Sequence, residues 1–237
     1  MDGLVEILFG PLGNSFTIVA LALKILGALI MSFALALLGR RNEVGWWLAI
    51  ASFAMFLLAG TFVVPLDFIS SAAVVTFYIV GSWIPPILGI AVSLYGLLWF
   101  RKAPTVQPLI RDISLRRFSP TDLATPLLIA LILGAANLIP VLVLNSSGSG
   151  STLSIPLTPM FVSGFLHGLL AAGLLGLALR SRWAWFLIAA AAVAAVGATT
   201  LAAQGSVLIF IYLTQVALAV YGWGRWGGLP TAAITRR

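Results

Sequence analysis

The sequence of 237 residues contains no cysteine, a single histidine and few charged residues. Without cysteine there is no disulfide framework to hold a small fold together. Charged residues make up 8% of the chain and hydrophobic residues 61%, and long runs contain no ionised side chain. A soluble domain of this length could not cover so much apolar surface with polar groups, so the bilayer must serve as its solvent. The composition therefore predicts an all-α integral membrane protein.

Motifs for several kinds of chemistry are also missing. The chain has no P-loop for ATP hydrolysis and no HExxH motif, and the lone His167 cannot build a zinc site. No Asp or Glu falls at the centre of a long apolar run, which disfavours a carboxylate proton relay. The net charge of +7 comes from basic residues in short loops rather than from a patch suited to nucleic acid. We predict no cofactor, no metal, no nucleic-acid partner and no enzymatic activity.

Seven apolar runs are long enough to cross the bilayer, which takes about 20 helical residues. The predicted transmembrane helices cover residues 15–38, 46–64, 80–100, 123–144, 157–179, 183–203 and 206–224. Residues 65–86 follow the second span and lead into the third, overlapping its first residues. Because Pro85 and Pro86 disfavour one straight long helix, we expect this segment to be an outer interfacial or partly re-entrant piece.

The distribution of arginine and lysine predicts the orientation. Basic residues follow the first, third, fifth and seventh spans, and the opposite loops have none. With seven crossings they all fall on one side, which the positive-inside rule assigns to the cytoplasm. We therefore predict a multi-pass protein of a bacterial plasma membrane, with the N-terminus outside and the C-terminus in the cytoplasm.

Two stretches near helix ends indicate an internal repeat: "VSLYGLLWF" at residues 92–100 and "LAVYGWGRW" at residues 218–226. Each closes a block of three spans that has a basic first loop and tryptophans opening its second span. One linking span between two blocks of three makes the blocks parallel, a 3+1+3 plan known from transporters. The predicted parts are residues 1–104 (first repeat with an outer N-terminal segment), 105–150 (cytoplasmic loop and linker helix) and 151–237 (second repeat and cytoplasmic tail). The alternative is that these aromatic and basic residues are ordinary interface anchors.

Four stretches carry a resemblance to a known family: "LRSRWAWFLIAAAAVAAV" with "IYLTQVALAVYGWGRW", then "LGRRNEVGWWLAIASFAMF" and "SLYGLLWFRK". The chain resembles the PnuC family of vitamin transporters, relatives of the SWEET sugar transporters. The resemblance implies facilitated diffusion of nicotinamide riboside, riboflavin or thiamine, and a functional link to a cytoplasmic kinase that traps the vitamin. Family members carry two tryptophans three residues apart on the sixth helix, whereas Trp183 and Trp185 are two apart, which leaves the vitamin open.

Polar and aromatic residues inside the spans are the candidates for substrate binding, because polar groups in hydrocarbon are costly. Gln215 and Tyr212 lie on one face of the seventh span, and His167 lies four residues after Ser163 on the fifth. The alternative is that each packs or bonds against a neighbouring helix. The predicted substrate-binding residues are Gln215, Tyr212, Trp185, Trp183, His167, Ser163, Asn137, Ser93 and Lys24.

Lys24 is the least expected of these residues, since it lies well inside the first span. A lysine at that depth either extends toward the outer surface, where Asp67 is a candidate partner, or faces a polar cavity. In a cavity it would repel a cationic vitamin such as nicotinamide riboside and suit a neutral or electron-rich one.

We therefore predict a uniporter for a small aromatic B vitamin, of the nicotinamide riboside or riboflavin type, embedded in the lipid bilayer. Two rivals stay open. One is a substrate-binding membrane subunit of an ATP-driven vitamin importer, and the other is a structural membrane protein without a small-molecule site. The sequence leaves the oligomeric state open.

Overall fold

The computed structural model describes Phe9 and residues 15–62, 72–117, 119–136, 157–201 and 205–230. Within them the chain forms seven helices and one short hairpin. The helices are α1 (Ser15–Gly39), α2 (Val44–Phe62), α3 (Ala72–Arg101), α4 (Thr121–Ala136), α5 (Leu157–Ala178), α6 (Ala184–Leu201) and α7 (Ser206–Gly227). The hairpin pairs β1 (Thr105–Gln107) with β2 (Ile110–Arg111) in antiparallel register.

Each predicted span overlaps one of these helices. Five helices, α1, α2, α3, α6 and α7, contain stretches long and apolar enough to cross a membrane. In α5 the apolar stretch Gly164–Ala178 is shorter. The described part of α4 ends at Ala136, so the rest of the predicted span 123–144 lies outside the described residues. The expectation of an all-helical membrane protein is met except for the small hairpin.

The third helix corrects one prediction. Residues 72–86 were expected to form part of an interfacial or re-entrant piece, but they belong to α3, which runs for 30 residues from Ala72 to Arg101. At 1.5 Å per residue this helix is about 45 Å long. Pro85 and Pro86 lie inside it and are buried. A continuous helix keeps the other backbone groups bonded to one another, so it tolerates two missing donors better than it would an open backbone. Residues 65–71 lie outside the described residues.

Six of the helices form a closed cycle of neighbours. α1 packs against α2 and α7, α2 against α3, α3 against α5, α5 against α6, and α6 against α7. α4 packs mainly against α5 and so lies beside this ring rather than in it. The ring places the inward faces of α1, α2, α5 and α7 around a common centre.

The turn from α1 to α2 and the turn from α5 to α6 have the same geometry. Arg41 and Arg180 occupy the left-handed region with φ of 59° and 62°. In each turn the N–H of this arginine donates to the carbonyl three residues back, and the next N–H donates to the carbonyl five residues back. This pattern closes a helix through a left-handed residue, a position usually held by glycine.

The residues after these turns also match. Trp46 at the start of α2 lies on Gly96 of α3, and Trp185 at the start of α6 lies on Gly222 of α7. Both tryptophans are almost fully buried, with 0% and 1% of their surface exposed. A side chain at either glycine would occupy the space of the indole ring. The glycine of each Tyr-Gly pair therefore provides the space in which a tryptophan packs.

Each indole ring has a second aromatic neighbour one turn beyond its glycine. Phe100 meets Trp46 edge-on with ring centroids 6.2 Å apart, and Trp226 meets Trp185 edge-on at 5.8 Å. The Trp226 Nε1 also donates to the carbonyl of Leu38 at 3.3 Å, which ties α7 to α1. We call this end of the bundle, where α1, α3, α5 and α7 finish, the arginine-rich end.

Replacing Gly222 by alanine should destabilise the protein, because the new Cβ would lie 2.6 Å from atoms of the Trp185 ring. Trp226 packs against this ring and restricts its movement, so we expect a loss of about 1–3 kcal/mol from overpacking. Gly224→Ala is the matched control on the same helix, since nothing lies within 4 Å of its Cβ position. Thermal unfolding in detergent should show a lower midpoint for Gly222→Ala alone. Equal midpoints for the two variants would contradict this packing.

Candidate functional site

The inward face of α1 is an almost unbroken buried stripe. Leu26, Leu29 and Phe33 lie on the opposite face and are exposed. Lys24 lies on the buried side, in line with the stripe, and as a residue it is partly exposed. The residues of the stripe are each at most 3% exposed: Ala20, Ala28, Met31, Leu35 and Leu38. The long cationic side chain therefore starts from the inward face of the helix, not from its lipid-facing side.

Two carbonyls of α1 at this level accept hydrogen bonds from neighbouring helices. The Gln215 Nε2 of α7 donates to the carbonyl of Ala28 at 2.9 Å, and the Ser52 Oγ of α2 donates to the carbonyl of Gly27 at 2.8 Å. The Ser32 Oγ donates to the Ala28 carbonyl as well, at 3.0 Å. Gln215 is 4% exposed. Its amide nitrogen bridges two helices, which is the structural role foreseen as the alternative; a contact with substrate stays a prediction.

Phe56 of α2 is the aromatic residue around which these helices meet. Its ring lies 3.1 Å from the Cβ position of Gly27 on α1 and edge-on to His167 of α5, with ring centroids 5.3 Å apart. Phe56 and Tyr212 of α7 both pack against one buried cluster, formed by Ala28, Leu208 and Ile211. We call the group Lys24, Phe56, His167, Tyr212 and Gln215 the central group.

The central group contains four of the nine predicted binding residues. Phe56 was missed, because a phenylalanine in an apolar helix carries no signal that separates it from lipid-facing or core positions. Among the described residues, no group of three or more His, Asp or Glu side chains is arranged to hold a metal ion.

Other predicted residues lie elsewhere. Ser93 is buried in α3 and its Oγ donates to the Gly89 carbonyl of the same helix at 2.8 Å. Trp183 and Trp185 lie at the arginine-rich end, where Trp183 stacks on Phe186. Gln215 precedes the end of α7 by about 18 Å at 1.5 Å per residue, so the structure does not bring these tryptophans next to it. Asn137 and the side chain of Ser163 lie outside the described residues.

A segment after α3 crosses the arginine-rich end; we call residues 102–117 the strap. Its hairpin forms an antiparallel bridge between Ile110 and Asn42 of the α1–α2 turn. Further along, the N–H of Arg116 donates to the carbonyl of Arg180 at 3.1 Å, in the α5–α6 turn. The strap is therefore bonded to both of the matched turns.

The apolar side chains of the strap are part of the main core. Ile113 is 1% exposed, and Ala103 and Leu115 are also buried. All three belong to the same hydrophobic cluster as Trp46 and Trp185. The strap covers this end of the ring and is packed into it.

Glu43 anchors the strap through two ion pairs. Its carboxylate accepts a hydrogen bond from the Arg111 Nη2 at 2.7 Å and lies 3.5 Å from the Arg101 Nη2. Arg111 also donates to Thr105 within the hairpin. The hydrogen bond from Arg111 holds the pKa of the Glu43 carboxyl below its ordinary value, with the nearby charge of Arg101 acting in the same direction and burial opposing both. No local sequence pattern predicts this cluster, because its members come from two distant segments.

Comparison with known proteins gives a distant likeness. No family model matches the sequence, and no curated protein matches it significantly. Among solved structures, the chain is similar to the crystal structure of the vitamin B3 transporter PnuC. The two are 15% identical, the likeness covers 92% of this chain and 93% of that chain, and the TM-score is 0.43. A likeness at this identity and TM-score does not decide the function of this chain.

Replacing Glu43 by glutamine should lower the free energy of unfolding by about 1.5–3 kcal/mol at neutral pH, the usual worth of hydrogen bonds to a charged group. Because the pKa of Glu43 is lowered in the fold, its carboxylate stabilises the protein above the unfolded-state pKa. This contribution is lost as the pH falls through the folded-state pKa. Denaturation measured from pH 7 down to about pH 3 should therefore show a weaker pH dependence in Glu43→Gln.

Asp112→Asn is the matched control for that change. Asp112 pairs with Arg41 at 3.7 Å, and 61% of its side chain is exposed. An exposed pair of this kind contributes about 0–1 kcal/mol. If both variants lose the same stability, the anchoring role of Glu43 is wrong.

Proposed function

We propose that this protein is a membrane transporter that carries a small aromatic B vitamin by facilitated diffusion. The observation that supports it best is the central group, in which Phe56 contacts α1 and His167 and packs with Tyr212 against one buried cluster, near the hydrogen bond from Gln215 to Ala28. A flat heteroaromatic ring matches such a group, because Phe56 and Tyr212 can stack on it while the Tyr212 hydroxyl and the Gln215 amide oxygen can form hydrogen bonds.

The ring is proposed to consist of two parallel three-helix units, α1–α3 and α5–α7, linked by α4. In such a repeat, α1 corresponds to α5 and α3 corresponds to α7. The contact of α1 with α7 then corresponds to the contact of α5 with α3, and both contacts occur. The two arginine turns and the two tryptophan–glycine contacts correspond in the same way. Transporters built from parallel repeats bind substrate between the repeats.

The arginine-rich end is proposed to face the cytoplasm of a bacterial cell. Arg40, Arg101, Arg180 and Arg225 cluster at the finishing ends of four helices, as the positive-inside rule requires of a cytoplasmic face. The strap would then close the cytoplasmic exit of the pathway. Because it is bonded to both matched turns, the two units cannot separate at this end without loosening it.

The scarcity of charge in the described helices supports the proposal of uniport. Between the first and last turns of the described helices, Lys24 is the one Asp, Glu, Lys or Arg residue. A chain of carboxylates for proton coupling has no counterpart there. A cytoplasmic kinase that consumes the imported vitamin would keep the inward gradient.

The decisive experiment is uptake into liposomes that contain the purified protein and no nucleotide, tested with riboflavin, nicotinamide riboside and thiamine. We expect saturable uptake of at least one vitamin and quenching of tryptophan fluorescence by the same compound. Silence with all three would favour a structural membrane protein. Binding without uptake, restored by added partner subunits and ATP, would favour a subunit of an ATP-driven importer.

Within that assay, Phe56→Leu should reduce the ratio kcat/KM by about three- to tenfold, since an aromatic contact is worth about 0.5–1.5 kcal/mol beyond its buried area. Phe33→Leu is the matched control, because Phe33 is 66% exposed on the lipid-facing side of α1. Uptake by Phe33→Leu should equal that of the wild type. Equal activity of all three proteins would remove Phe56 from the substrate site.

The absence of cysteine allows a clean test of the strap as a gate. Ile113→Cys places the one thiol of the chain on the buried side of the strap, and Val106→Cys places it on the exposed hairpin. A membrane-permeant maleimide should label Val106→Cys at once and Ile113→Cys slowly. Adding a transported vitamin should raise the labelling rate of Ile113→Cys if the strap loosens in each transport cycle; an unchanged rate would contradict the gate.

A further inference from the structure

Lys24 lies on the inward face of α1, where a lysine is costly and the proposed function does not yet give it a role. This lysine starts from the buried stripe of α1, with Ala20 one turn before it and Ala28 one turn after it. The lipid-facing side of the helix, marked by Leu29 and Phe33, lies opposite. A lysine that merely extended to the membrane surface would be expected at the edge of the stripe, where its amine could pass along the lipid boundary.

No carboxylate neutralises Lys24 within the part of the chain that the structure describes. The ion pairs found there involve Glu43 and Asp112, both in the loops of the arginine-rich end. As a residue, Lys24 is nevertheless partly exposed. An ionised group inside a membrane protein that faces the bundle interior commonly marks a substrate or ion pathway.

Lys24 is also next to the central group along the helix. Gly27, three residues on, is the point where Phe56 meets α1, and Ala28, four residues on, accepts the hydrogen bond from Gln215. Residues three and four apart lie on one face of a helix, within about 5–6 Å of each other. The lysine stem is long enough to carry its ammonium group to a molecule held against Phe56.

We propose that Lys24 selects the charge of the substrate, so that the site accepts neutral or anionic aromatic molecules and rejects cations. This inference rests on the proposed function and narrows it. A fixed positive charge in a site of low dielectric repels a second cation far more strongly than it would in water. A vitamin with a pyridinium or thiazolium ring would be repelled by Lys24 when it binds, whereas a vitamin with a carboxylate or an uncharged ring would not.

Two ribosides of the same size test the charge without changing the shape. Nicotinamide riboside carries a net positive charge. Nicotinic acid riboside has a carboxylate in place of the amide, so it is neutral overall. Each is used as a competitor against the vitamin that the liposomes take up. In the wild type we expect the acid to compete at least about tenfold better than the amide, a difference of about 1.4 kcal/mol.

In Lys24→Met this preference should fall to about twofold or less, while Lys24→Arg should keep it. The control is Lys102→Met, which removes the other lysine of the chain from the exposed arginine-rich end. It should leave the preference unchanged. Size-exclusion profiles and thermal midpoints of the variants in detergent show whether each one is folded.

The results of these competition and uptake assays distinguish failure of the role of Lys24 from failure of the proposed transport function. Equal competition by the two ribosides in the wild type, or an unchanged preference in Lys24→Met, would overturn the role of Lys24 and leave the transporter intact. Loss of the preference in Lys102→Met would assign it to the surface charge of the arginine-rich end and overturn the role of Lys24 as well. Absence of uptake for every vitamin would remove the transporter, and this inference with it.

Discussion

The interior of a bilayer offers no water, so polar groups within it must find partners inside the protein. The helices satisfy most of their backbone in this way, and several buried side chains follow the same rule. Within the described residues, the Nε1 atoms of Trp46 and Trp185 are exceptions, because they are buried without a hydrogen-bond partner. Ser93 bonds a carbonyl of its own helix, and Ser52 and Gln215 bond carbonyls of α1 from two different neighbours. The constraint thus draws α2 and α7 onto α1 at one level, and that level is where the central group forms.

Close approach of helices at the arginine-rich end depends on a second, steric condition. Gly96 and Gly222 leave room for Trp46 and Trp185, and a Cβ at either glycine would collide with an indole ring. These contacts lie beside two turns whose arginines adopt the same left-handed backbone. The strap is hydrogen-bonded to both of these turns. The packing of the two tryptophans, the geometry of the turns and the position of the strap therefore depend on one another.

Lys24 differs from these residues, because no carboxylate pairs with it within the described part of the chain. A lysine on the buried side of a membrane helix is costly to the fold, which supports the functional role proposed for it. The same helix provides the carbonyls that hold Gln215 and Ser52. Fixed polar contacts and a lysine on a shared helix face are features that the proposed binding site would use.

Hydropathy along the chain was sufficient to predict seven helices, because burial in lipid acts on each run of about 20 residues separately. Five of them are long and apolar enough within the described residues to cross a membrane. Hydropathy failed for residues 72–86, where the local penalty of two prolines was outweighed by the benefit of one continuous helix. The pairing of Glu43 with Arg111, the place of Phe56 and the inward direction of Lys24 were beyond local pattern. Each depends on which helix lies beside which, and neighbours in space are set by packing between segments far apart in sequence.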